Sequence, residues 1–181
     1  MEYYIYEPVT AGCSTFYAHL GKTVEADEVP ESATQWQPPE TNEGFLMYWD
    51  GFGWVRGIDV RNAELSELQS RILKHVGEIF SSQVNSLKRP YSDGESDSWA
   101  IQLADAQNVL KGATDSVLLH ALAEIRNVDV KELAQKIIDK SQAYYKQYAQ
   151  VLGQYQKEVN QIQNAKSIDD LPKFDLWILT S

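Results

Sequence analysis

Apolar and polar positions change their rhythm partway along the 181-residue chain. Residues 1–60 hold short β-prone runs separated by turns, and residues 61–181 show helical spacing. Tyr3-Tyr4-Ile5-Tyr6 and Ser14–Ala18 are rich in the aromatic and β-branched residues that suit a pleated surface. The stretch 25–42 carries Pro30, Pro38, Pro39 and several acids and reads as loop. Gly44–Trp49 and Trp54–Gly57 flank Asp50-Gly51-Phe52-Gly53, which predicts a hairpin. A small antiparallel meander accounts for this part.

The second part opens at Asn62, the expected N-cap of a helix whose apolar stripe is Leu65, Leu68, Ile72, Val76 and Ile79. Pro90 stops it beyond about Leu87, and a polar loop follows over 91–97. A second helix presents Trp99, Leu103, Ala106 and Leu110 on one face and ends at Gly112. Asp115 is placed to cap a shorter helix with Leu118, Leu122 and Ile125. Asp129 and Glu132 have capping-box spacing at the head of a long helix, whose stripe runs from Leu133 through Tyr144, Tyr148 and Tyr155 to Ile162. Ser167 and Asp170 repeat that spacing. The apolar tail Phe174, Leu176, Trp177 and Ile178 is expected to fold back onto the helices.

The expected fold class is therefore α+β, a small antiparallel β domain followed by an all-α domain. The expected boundaries are an aromatic-rich β domain at 1–60, an amphipathic helix and linker at 61–95, and a helical domain at 96–181 with its long helix over about 130–165.

Charge narrows the partners. The formal net charge of −10 argues against nucleic acid and against an anionic membrane surface, since both need clustered cations. The apolar content of 43% is ample for a core. A lone cysteine, Cys13, excludes an internal disulfide framework and fits folding in a reducing cytoplasm. The first residues lack the pattern of a signal peptide, and no apolar run is long enough for a membrane helix.

Candidate chemistry is sparse. Cys13 and His19 are close enough in sequence to suggest a thiol–imidazole pair, but an apolar cysteine and a surface imidazole are the plainer reading. His120 has no second metal ligand beside it, and the acids Glu25, Asp27, Glu28 and Glu31 lack the glycine-turned spacing of a calcium loop. No catalytic residue, metal site or cofactor is expected. The aromatic hairpin is the informative feature. Tyr48, Trp49, Phe52 and Trp54 crowd together, with Trp36 and the tyrosines Tyr3, Tyr4 and Tyr6 as further neighbours. Strand alternation sends Tyr48 and Trp49 to opposite faces, so one of them must leave the core. Large rings anchor interfaces because they desolvate much area at low entropic cost. The expected partner-binding residues are Trp36, Tyr48, Trp49, Phe52 and Trp54.

On these residues the chain resembles the bacteriophage tail-fibre assembly proteins. The opening Tyr3–Tyr6, the segment Thr34–Pro39 (TQWQPP) and Gly44–Val55 (GFLMYWDGFGWV) resemble their compact β domain. Trp99–Leu110 (WAIQLADAQNVL), Asp115–Ile138, Ala143–Ala165, the Ser167–Leu171 cap and the closing Trp177 resemble their helical segment. Residues 61–95 match least. The resemblance implies a chaperone without enzymatic activity or cofactor. It would bind the distal, C-terminal tip of a trimeric tail fibre in the bacterial cytoplasm, promote its folding and trimerisation, and in some cases stay at the fibre tip. Self-association through the helices would accompany this. The same rings on a carbohydrate-binding or host-adhesion module of the tail would stack on sugars.

Overall fold

The computed structural model describes residues 1–180. It is α+β, with antiparallel sheets first and helices after them. Its contacts form two compact units, Met1–Glu78 with Gln156–Ser181, and Ile79–Tyr155. These units cut across the expected boundaries at 60 and 95. Periodicity marks where a helix lies but not which neighbour its apolar stripe meets.

In the first unit, strands β1 (Glu2–Ile5), β4 (Thr23–Glu25) and β5 (Ala33–Thr34) form one sheet in the order β4-β1-β5. Strands β2 (Glu7–Ala11), β3 (Ser14–Ala18), β6 (Phe45–Trp49) and β7 (Trp54–Ile58) form a second, in the order β2-β3-β6-β7. The expected hairpin is present, with Trp49 opposite Trp54 and Phe45 opposite Ile58. Strand β3 alternates cleanly, with Ser14, Phe16 and Ala18 buried and Thr15 and Tyr17 exposed. The buried face joins Val9, Phe16, Tyr48 and Ile58 to a core that includes Leu68, Ile72 and Val76 from helix α1 (Leu65–Lys88). Asn62 is not the cap of α1. Its side chain donates to Asp59 Oδ2 at 2.9 Å, and the first helical carbonyl is that of Glu64, which accepts from Leu68 N at 3.2 Å.

The C-terminal tail completes this core. After helix α5 (Val130–Asn164), Ser167 and Asp170 form the expected capping box around a single 3₁₀ turn, Ile168–Asp170. Ser14 Oγ then donates to Phe174 O at 2.9 Å and accepts from Phe174 N at 2.7 Å. The Phe174 ring meets Phe16 at 5.4 Å. Ile178 and Leu179, on the short helix α6 (Trp177–Thr180), are fully buried. The tail was expected on the helices. It does meet α1, where Trp177 lies against the edge of His75 at 4.1 Å, but its apolar residues also pack on the sheet, through Phe174 against Phe16 and Leu179 beside Gly57.

The second unit is helical. A short helix α2 (Asp93–Asp97) replaces the expected polar loop, with Ser92 accepting from Glu95 N. Helices α3 (Trp99–Leu110) and α4 (Val117–Arg126) pack with the start of α5 around Ala106, Val109, Leu119, Ala123, Leu133 and Ala134. Gly112 takes φ +97°, as a residue just past a helix end should. Asp129 caps α5 by accepting from Lys131 N and Glu132 N at 2.9 and 3.0 Å, while Glu132 turns to Lys136 rather than back to the cap. Two expectations shift. Ser116, not Asp115, occupies the N-cap of α4 and donates to Asp105 Oδ2 at 2.7 Å. The buried face of α4 is Leu119 and Ala123, leaving Ile125 81% exposed. Apolar residues lie all round this short helix, so spacing alone did not select its inner face.

Gly12 shows how tightly the tail is seated. It has φ +57°, and a Cβ there would sit 2.6 Å from Leu171 O and 2.8 Å from Ile168 O. Gly12→Ala is expected to cost about 2–4 kcal/mol, from left-handed strain plus displacement of the tail. Urea unfolding midpoints check this.

Candidate functional site

The two faces of the hairpin have opposite fates. Tyr48 is completely buried, edge-on to Phe16 at 6.1 Å, and its hydroxyl donates to Ile58 O at 2.8 Å while accepting from Val60 N at 3.2 Å. Burial, opposed by the Val60 amide and reinforced by Asp59, pushes its phenol up to about 12. It therefore stays neutral and donating. Tyr48 is a core residue and offers no ring to a partner, which corrects its place among the expected binding residues.

Trp49, one residue on, points the other way. It stacks on Tyr6 at 5.7 Å with the rings only 8° apart, and meets Trp54 edge-on at 5.3 Å. Trp36 stands edge-on to Trp49 at 6.0 Å, and its carbonyl accepts from Trp54 Nε1 at 2.6 Å. Trp36 arrives here because β5 pairs with β1, which fixes the chain just before it, and Thr34 Oγ1 accepts from Trp36 N at 3.2 Å. Trp36 is 61% exposed, while Trp49 and Trp54 are half-buried.

Phe52 rides the tip of the turn and is 85% exposed. The tip is built by Asp50, whose Oδ1 accepts from Phe52 N and Gly53 N, both at 2.8 Å. Gly51 takes φ +102°, which an L side chain would strain. Those two amides hold the Asp50 carboxyl below its ordinary value of 3.8.

Three further rings join the patch. Tyr17 meets Tyr6 edge-on at 6.0 Å and is 45% exposed. His19 lies edge-on to both Trp54 (5.7 Å) and Tyr4 (6.0 Å), and its Nδ1 is 3.0 Å from Ile5 O. The sequence signal for Tyr17 was the alternation of β3, but its meeting with Tyr6 depends on strand pairing. Of the tyrosine run, Tyr4 and Tyr6 belong here, whereas Tyr3 is buried. The Cys13–His19 pair does not form. The extended strand Ser14–Ala18 lies between them, a separation of ~20 Å at the usual rise per residue. Cys13 is exposed at the β2–β3 turn.

Among the described residues, no group of three His, Cys, Asp or Glu side chains is placed to hold a metal ion, and no helix is long and apolar enough to cross a membrane. The site is thus a cluster of flat rings with a protruding phenylalanine, able to cover apolar surface and to stack. No protein-family model matches the chain, no curated protein matches it, and no solved structure matches it.

Two contrasts follow. Tyr48→Phe is expected to lose about 1–3 kcal/mol by orphaning the buried Val60 N–H and Ile58 C=O. Phe52→Ala is expected to change stability by less than about 0.5 kcal/mol. Thermal or urea unfolding checks both. Because the Asp50 pKa is lowered by folding, its contribution to the turn is complete above pH 3.8 and fades as pH falls through the lower folded value. The Phe52 and Gly53 amide NMR shifts should titrate together, with a midpoint below 3.8.

Proposed function

We propose that this chain is a protein-binding assembly factor, a phage tail-fibre chaperone without enzymatic activity, and that Trp36, Trp49, Phe52 and Trp54 form its docking surface. One observation carries the reading: Trp36 stands largely uncovered on a framework of rings already held in place, and Phe52 is exposed at the tip of the same hairpin. Tyr6 and Tyr17 extend that surface. Holding these rings beforehand reduces the side-chain entropy that docking would cost.

The action would be physical. A trimeric fibre tip folds slowly, because three chains must find register before non-local contacts form. Until then its apolar surfaces and strand edges are open to aggregation. Rings that cover those surfaces stabilise the folded-like state by mass action and bias the chain toward it. Self-association through the helical unit, where Val117 and Ile125 are more than four-fifths exposed, is a further element of the proposal.

Trp36, edge-on to Trp49 and largely exposed, also offers a ring to a sugar face, so a carbohydrate-binding role is the second reading. Sugar sites pair rings with free polar groups, whereas Oδ1 of Asp50, the acid at this tip, is already taken by two turn amides.

Co-expression of a candidate fibre with this chain is expected to raise the yield of folded trimer. The Trp36→Ala/Phe52→Ala variant is expected to return the yield to that of the fibre alone. Equal yields with and without the chain would count against the proposal, and binding to a glycan array that Trp36→Ala abolishes would favour the second reading.

A further inference from the structure

The helical unit holds a second binding feature that the aromatic patch does not explain. A cavity of about 390 Å³ opens among α1, α2, α3, α4 and α5, within the range of small-ligand pockets. Its inner wall is apolar and aromatic, made by Trp99, Leu133, Ile137 and Tyr144. Leu133 is buried, and Trp99, Ile137 and Tyr144 are half-buried. The rings are mutually braced, with Tyr91 edge-on to Trp99 at 4.9 Å and Trp99 edge-on to Tyr144 at 5.1 Å. Tyr144 then stacks on Tyr148 at 6.0 Å, so the wall is backed by a continuous row of rings.

The charge at the mouth runs against that of the protein. In a chain of net charge −10, Arg126, Lys136 and Lys140 line this cavity with a single carboxylate, Glu95. Glu132 neutralises Lys136 at 2.7 Å. Arg126 and Lys140 make no salt bridge among the described residues, and both are exposed at the opening. An apolar wall desolvates a flat body, and two uncommitted cations at its mouth favour an anionic head over a neutral or cationic one.

We infer that this cavity binds a small amphipathic organic anion, its apolar body against Trp99, Leu133, Ile137 and Tyr144 and its acidic head between Arg126 and Lys140. The inference is independent of the docking role of the hairpin, which lies in the other unit.

The test is a fluorescence titration of the whole chain with anilinonaphthalene sulfonate, a flat apolar body with one fixed negative charge, at low ionic strength. The dye is expected to bind a single site. Arg126→Glu/Lys140→Glu should weaken it about tenfold or more, the size of one lost charge-assisted contact. Ala143→Trp, which places bulk at an exposed position lining the cavity, should remove binding with the charges intact. The neutral dye lacking the sulfonate should respond to Ala143→Trp alone. Far-UV circular dichroism and thermal unfolding confirm that each variant is folded. Unchanged sulfonate affinity in either variant overturns the inference, as does an equal loss of the neutral dye on charge reversal.

Discussion

The structure of the first unit turns on how one face of its second sheet is sealed. Ser14, on β3, bonds both the carbonyl and the amide of Phe174, a residue 160 positions later. Around that pair the tail lays Leu171, Phe174, Ile178 and Leu179 into the core beside Phe16 and Tyr48. The fit leaves no slack. Gly12 has no room for a Cβ beneath Leu171, and at Gly57 a Cβ would crowd Leu179 and the Tyr48 ring, all at 3.1 Å. With the inner face filled from the far end of the chain, the residues on the opposite face have no covering element of their own.

That asymmetry explains why so many large rings lie together outside the core. Trp49, Trp54 and Tyr6 satisfy one another through edge and stacked contacts, each worth about 0.5–1.5 kcal/mol beyond buried area. The cluster therefore holds its shape without a cover. Trp36 is a member left open to solvent, and Phe52 stands exposed at the hairpin tip. A self-supporting cluster with open rings suits docking better than a loose collection of aromatics, because little ordering remains for a partner to impose.

The helical unit uses aromatics differently. Phe80 stacks on Tyr155 at 4.4 Å and lies 6.4 Å from Tyr148, so the tyrosine stripe of α5 is packing, with rings as the filler. Its core proper is small, built from three alanines, two leucines and Val109 on α3, α4 and α5. Where Trp99 and Tyr144 meet, the filling is incomplete and the cavity opens. The two units thus present different surfaces, one of rings alone and one of apolar wall with cations.

Local chemistry determined a good deal unaided. Asp129 and the Ser167–Asp170 pair read as caps because each bonds backbone amides within a few residues, and Asp50–Gly53 read as a hairpin turn because an Asp-Gly connection joins two β-prone runs. Opposite fates for Tyr48 and Trp49 followed from strand period alone. Only the tertiary structure decided which of the two went inside, that Tyr6, Tyr17, His19 and Trp36 would gather around Trp49 and Trp54, and that the tail would seal the sheet. It also chose Leu119 over Leu118 on α4. Each of these depends on contacts between segments distant along the chain, and periodicity carries a residue's phase within its own element but no record of its neighbour.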